Sequence, residues 1–167
     1  MNNELKILAP KLKLIKLVIT DVDGVLTDGG LYYTKEGMVM KRFNVKDGMA
    51  THLLRKRGIK CGIISTDKSS IITKRAERLK LDFAYIEIWD KKSKMLEICS
   101  DYNLQPENIA FIGDDVNDIE IIQSVGFSAA PKDAVDKIIS IVDYVCTKNG
   151  GHGAFREFAD LILSCQS

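Results

Sequence analysis

A chain of 167 residues with 24 Lys and Arg against 23 Asp and Glu carries almost no net charge, which excludes the strongly basic surface of a general nucleic-acid binder and an electrostatic membrane anchor. Its 46% hydrophobic and 28% charged residues are those of a folded domain, not of a disordered segment. No apolar run approaches the roughly 20 residues that cross a bilayer, and the N-terminus lacks the pattern of a secretion signal, so a cytoplasmic protein without nucleic-acid or membrane partners is expected.

Residues 1–13 are expected to be a loosely held leader, because Asn, Lys and Pro10 dominate and no amphipathic period is sustained. The first strand is expected from about Ile15 to Thr20, and it ends in Asp21-Val22-Asp23-Gly24. Residues i and i+2 of an extended chain point the same way, so Asp21 and Asp23 should project together from the carboxyl end of a buried strand. Two carboxylates so close are costly unless a cation or a proton lies between them. Leu31-Tyr32-Tyr33 and Val39-Met40 then read as a β-hairpin with its tip at Thr34 to Gly37, a flap over that strand end. Asn44-Val45-Lys46-Asp47-Gly48 opens a helix, with Asp47 as the expected N-cap and Met49, Leu53 and Leu54 as its apolar face.

Ile59 to Ile64 is a second apolar run, ending in Ser65-Thr66-Asp67, and the following helix, Ser70 to Leu79, shows a basic face of Lys74, Arg75 and Arg78. Phe83 to Ile86 is a third strand, and Asp90-Lys91 precedes a helix from Ser93 to Tyr102. Ile109 to Ile112 is a fourth, ending in Gly113-Asp114-Asp115-Val116-Asn117-Asp118 before a helix from Ile119 to Val125. Weaker strands near Phe127 to Ala129 and Tyr144-Val145 flank a helix from about Asp133 to Ile141, and a glycine-rich loop from Gly150 to Gly153 leads into a last helix. Short apolar strands alternating with amphipathic helices predict an α/β fold, a doubly wound parallel sheet forming one domain over 1–167. Cys61, Cys99, Cys146 and Cys165 show no C-x-x-C spacing and read as buried reduced thiols.

Ligands of open α/β sheets bind at the carboxyl ends of the strands, and those ends carry Asp21, Asp23, Ser65, Lys91, Asp114, Asp115 and Asp118. Three or more carboxylates without nearby Cys or His suit Mg²⁺ over zinc. A hydroxyl and an ammonium opposite such a cation suit a phosphate. Plainer readings exist: Asp115 and Asp118 as a helix-capping pair, Lys91 and Lys92 as a solvated face, Ser65 as turn chemistry. They do not absorb two acids that interrupt a buried run. His52 and His152 read as structural or exposed, Tyr32, Tyr33 and Trp89 as packing residues with a place at a substrate entrance as the alternative, and the glycine loop lacks the βαβ unit of a dinucleotide site.

Asp21-Val22-Asp23-Gly24-Val25-Leu26-Thr27-Asp28-Gly29 resembles the first motif of the haloacid dehalogenase (HAD) superfamily of phosphatases, and Gly113 to Asp118 resembles its fourth. Ser65 and Lys91 fall at its second and third. Asn44 to Gly48, a hairpin in place of an inserted cap domain, and Gly150 to Glu157 are similar to its short, capless branch, which contains phosphatases of 3-deoxy-D-manno-octulosonate 8-phosphate (KDO 8-phosphate). The resemblance implies a HAD-like Rossmannoid fold and Mg²⁺-dependent hydrolysis of a 2-keto-3-deoxy sugar acid phosphate through an aspartyl phosphate. It implies Asp21 as nucleophile, Asp23 as general acid and base, and Ser65 and Lys91 as phosphate anchors. Asp21, the backbone carbonyl of Asp23 and Asp114 would hold the metal with Asp115 near its shell, and Asp118 would orient Lys91. It further implies a homotetramer in which Arg75, Arg78 and Arg156 reach the substrate carboxylate. Asp67 stands where members acting on the eight-carbon acid carry Arg, which resembles relatives acting on nine-carbon acids (KDN or N-acylneuraminate 9-phosphate). Two other readings are a non-catalytic oligomerisation module of a sugar-nucleotide synthetase and a phosphotransferase or mutase.

Overall fold

Leu17–Thr20 (β1) lies at the centre of the computed structural model, which describes residues 3–166. All four of its residues are buried, as a strand flanked on both sides and covered on both faces must be. The chain continues through an antiparallel hairpin, Tyr32–Thr34 (β2) and Gly37–Met40 (β3), then the strands Lys60–Ile64 (β4), Phe83–Tyr85 (β5), Ile109–Ile112 (β6), Phe127–Ala130 (β7) and Tyr144–Val145 (β8). Apart from the hairpin, the strands form one six-stranded sheet in the order β5-β4-β1-β6-β7-β8, with every pairing parallel. Strand order reverses beside β1, so its carboxyl end faces the crevice where such sheets bind ligands.

The helices are Asn3–Lys13 (α1), Val45–Lys56 (α2), Ser70–Leu79 (α3), Lys91–Asp101 (α4), Ile119–Ile122 (α5), Asp136–Ile139 (α6) and Ala154–Leu163 (α7). The two-residue alternation of the strands sorts the core into two layers. Val18, Cys61, Ile63, Ala110 and Ile112 meet α1, α2, α3 and α7 on one face. Leu17, Ile19, Ile109 and Phe111 meet α4, α5 and α6 on the other. The expected doubly wound sheet and hairpin are therefore present, and no cap domain lies between β1 and α2. The four cysteines are buried and free, and no described helix is long and apolar enough to cross a membrane.

Four local expectations are corrected. The leader is a helix from Asn3 onward, with Leu8 and Leu12 one turn apart in the core; residues 1 and 2 lie outside the described residues. Gln166 Nε2 donates to Leu12 O at 2.7 Å and Lys11 pairs with Asp143 at 2.6 Å, so the last turn of α1 is tied down. The N-cap of α2 is Asn44, whose side chain accepts from Lys46 N at 2.8 Å. Its buried face is Ala50, Thr51 and Leu54, with Met49 exposed. The helices expected at 119–125 and 133–141 are four residues each. Asp115 and Asp118 cap each other across a tight turn before the first, and Val135 N is drawn to Asp114 O at 3.0 Å before the second.

Candidate active site

Asp21 and Asp23 share one cavity past the end of β1, as the sequence implied, although residues 22–26 form a turn and not extended strand. Asp21 is buried at 5% exposure, and its Oδ1 accepts from Val22 N at 2.7 Å while its Oδ2 lies 2.9 Å from Lys91 Nζ. Lys91 is the first residue of α4 and is 2% exposed. Its ammonium also donates to Asp118 Oδ1 at 2.6 Å. Burial works against the Lys91 charge, but Asp21 and Asp118 outweigh it and hold its pKa above the usual lysine value. Burial also pushes the Asp21 carboxyl up, against the pull of Lys91 and with repulsion from Asp118 added. Asp118, expected to orient Lys91, is in contact with it, and its other oxygen accepts from Asp114 N at 3.0 Å.

Asp114 follows β6. Its carboxyl is pushed up to about 8, first by burial and then by Asp21, Asp118 and Asp115. One carboxylate oxygen each from Asp21, Asp114 and Asp118 lies within 4.8 Å of the others, an all-oxygen donor set suited to a hard divalent cation. Lys91 and Asp114 N each engage one oxygen of Asp118, as Val22 N and Lys91 each engage one of Asp21. Asp115, expected near the metal shell, is exposed and outside this trio of oxygens but lines the same cavity as Asp21 and Asp114; its Oδ1 accepts from Val116 N at 2.6 Å in the turn. The tight approach of the β1 and β6 loops requires glycine at 24. Gly24 has φ +78°, and a Cβ there would sit 1.9 Å from Asp114 Oδ2.

Asp23 lies in the same cavity of about 280 Å³ as Asp21, Asp114, Thr66 and Asn117. Its partner was missed by the sequence reasoning. Lys41, just past β3, places Nζ 2.5 Å from Asp23 Oδ1 and 2.6 Å from Asp67 Oδ2, with its side chain fully buried. Burial opposes that charge too, but the two carboxylates raise the Lys41 pKa above the usual value. Lys41 lies eighteen positions after Asp23, past the hairpin, so no short-range spacing announces the pair. Ser65 is buried, and its Oγ accepts from Asp67 N at 3.2 Å; the hydroxyl residue that lines the cavity is the next one, Thr66.

The expected substrate-binding arginines are not at this cavity. Arg75 and Arg78 line a groove with His52 and Met49, where Arg75 Nη2 donates to Asn44 O at 3.3 Å. Arg156 pairs with Asp160 at 2.8 Å, and its N donates to Asp47 Oδ1 at 2.8 Å. Within one chain the acid pair and these cations are separate. Trp89, 76% exposed, lines a neighbouring depression of about 460 Å³ with Lys91, Lys92 and Asn117. The glycine loop before α7 closes the site from behind: Gly151 N donates to Val25 O at 2.9 Å, and a Cβ on Gly150 would lie 1.8 Å from Gly24 O.

Residues 65–158 match the family model of haloacid dehalogenase-like hydrolases. The chain is 37% identical over 156 residues to the 3-deoxy-D-manno-octulosonate 8-phosphate phosphatase KdsC of Haemophilus influenzae, covering 93% of this chain and 87% of that one. It is 36% identical over 152 residues to the Escherichia coli K12 enzyme of the same name, covering 91% and 81%. Among solved structures, it superimposes with TM-score 0.91 on the cobalt-bound Haemophilus influenzae phosphatase, at 37% identity over 93% of this chain and 91% of the other. The Moraxella catarrhalis phosphatase in complex with magnesium, phosphate and KDO gives TM-score 0.93 at 33% identity, covering 99% and 94%.

Proposed function

Because the chain belongs to the haloacid dehalogenase-like hydrolases and is a phosphatase of that family, we propose that it hydrolyses KDO 8-phosphate in the cytoplasm with Mg²⁺ as cofactor. The observation that carries this reading is the Asp21 carboxylate at the end of β1, 2.9 Å from a buried lysine and beside a second acid in one cavity. Asp21 is the nucleophile: its carboxylate oxygen attacks phosphorus and forms an aspartyl phosphate as the bond to the sugar oxygen breaks. Asp23 gives the leaving oxygen its proton. It then takes a proton from the water whose oxygen attacks phosphorus and releases Asp21. Lys91 holds Asp21 and offsets the charge of the phosphate, the hydroxyl residues at 65 and 66 anchor the phosphate oxygens, and Asp118 keeps Lys91 in place. Asp21, Asp114 and the backbone carbonyl of Asp23 are the ligands for Mg²⁺, which when bound supplies the positive charge that lets a dianion approach a nest of carboxylates.

The hairpin exposes Tyr32, Tyr33, Val39 and Met40, an apolar surface that favours association. In a homotetramer a neighbour would cover the cavity and bring Arg75, Arg78 or Arg156 to the sugar carboxylate. A nine-carbon substrate is the second reading, because position 67 lacks the Arg expected in members acting on the eight-carbon acid. A non-catalytic module has no use for Asp21 and Lys91 buried on each other. A phosphoryl-transfer enzyme needs a cap to exclude water, and this chain has only the hairpin. The test is phosphate release from KDO 8-phosphate, KDN 9-phosphate, N-acetylneuraminate 9-phosphate and hexose phosphates, with and without EDTA. The expected result is highest kcat/KM on KDO 8-phosphate and silence in EDTA. Preference for a nine-carbon acid would move the substrate assignment, and metal-independent turnover would remove the site assignment.

A further inference from the structure

The ion pairs of Lys41 assign a role to a side chain that the mechanism above leaves unused. Its ammonium has no solvent exposure, while Asp23 and Asp67 keep 33% and 22% of theirs. A buried lysine is costly unless fully paired, and here the compensation comes from two strand ends at once, Asp23 after β1 and Asp67 after β4. Asp23 Oδ1 receives Lys41 Nζ at 2.5 Å and Thr27 Oγ1 at 3.4 Å. Its Oδ2 accepts no hydrogen bond from the described residues, yet Asp23 lines the cavity, so Oδ2 is the oxygen free to exchange a proton. Asp67 has no free oxygen: Oδ2 holds Lys41, and Oδ1 accepts from Ser69 N at 2.9 Å. Asp67 is also absent from the residues lining the cavity, where Thr66 takes the position.

We propose that Lys41 is a positioning residue for proton transfer. It fixes the Asp23 carboxylate so that Oδ2 faces the leaving oxygen, and Asp67 is the latch that holds Lys41, not a ligand of the sugar. Because Lys41 is the residue after β3, the same latch ties the base of the flap to the catalytic loops. The proposal rests on Asp23 as the proton carrier. The balance is unchanged by it: the Oδ2 proton passes to the sugar oxygen as the phosphorus–oxygen bond breaks, and Oδ2 later accepts one proton from water.

The leaving group discriminates this role from a structural one. A sugar alkoxide needs the proton, whereas p-nitrophenolate leaves without it. Lys41→Met should lower kcat for the sugar acid phosphate by roughly 10²-fold, the range of general acid–base effects. KM should stay within about twofold, and single-turnover release of p-nitrophenolate should change less than about threefold. Lys41→Arg should restore part of the loss. Asp67→Asn, which keeps the Asp23 contact and guards against a Lys41→Met chain that does not fold, should lower kcat roughly tenfold at constant KM. Equal losses on both substrates, or a KM increase with kcat intact in Asp67→Asn, would overturn the proposal. Asp23→Asn is the reference: a loss there that ignores the leaving group overturns the assignment of Asp23 itself, whatever Lys41 does.

Discussion

Asp114 shows how single carboxyls at this site couple protons, metal and stability. Its pKa lies at about 8 in the fold against an ordinary 3.8, with burial the largest cause and Asp21 the next. A carboxyl raised by folding contributes stability that is complete below its unfolded value and is lost as pH rises through its folded value. Asp21 is raised in the same direction. The metal-free protein should therefore lose stability between about pH 4 and pH 8 from these two groups. Mg²⁺ binds the ionised forms, so it should raise the melting temperature more at pH 8 than at pH 5. Thermal unfolding at both pH values checks this, and an equal shift at both would contradict it. The acids were legible in the sequence because they follow β1 and β6, whose carboxyl ends are neighbours in the sheet. Lys41 was not, since its direction depends on where a hairpin returns.

At the scale of elements, α7 depends on a residue 109 positions earlier in the chain. Asp47 Oδ1 accepts from Arg156 N at 2.8 Å, and Gly153, the N-cap of α7, offers no side chain. Asp47 thus caps another helix, not its own, which the capping rules for a local sequence cannot reveal. Burial pushes its carboxyl up to about 6, against the pull of the Arg156 backbone amide. Asp47→Ala should cost about 1–3 kcal/mol in urea unfolding, the cost of an N-cap at a buried site, and Asp47→Asn should cost less because an acceptor remains. An Asn variant as unstable as the Ala variant would contradict the capping role. The helix α1 escaped notice for a related reason. Its apolar contacts are Leu8 and Leu12, too few for a period, and Pro10 reads as a breaker although the helix runs through it. By contrast α3 begins and ends at Ser70 and Leu79 as its pattern predicts.

For the whole molecule, the six-stranded sheet and its two layers follow from the order of apolar runs, but the arrangement of several copies does not. The tetramer proposed above would have a mass of about four times 18.6 kDa in sedimentation velocity. Replacing Tyr33, 66% exposed, with Lys should shift the assembly toward smaller species and raise KM; an unchanged tetramer would place the interface elsewhere. The most direct test of the account remains at the end of β1. Phosphate release from KDO 8-phosphate with saturating Mg²⁺ should fall by roughly 10⁴-fold or more in Asp21→Asn, the scale seen when a nucleophile is removed, while its circular dichroism matches the unaltered protein. Substantial turnover by a folded Asp21→Asn chain would contradict the nucleophile assignment and the mechanism built on it.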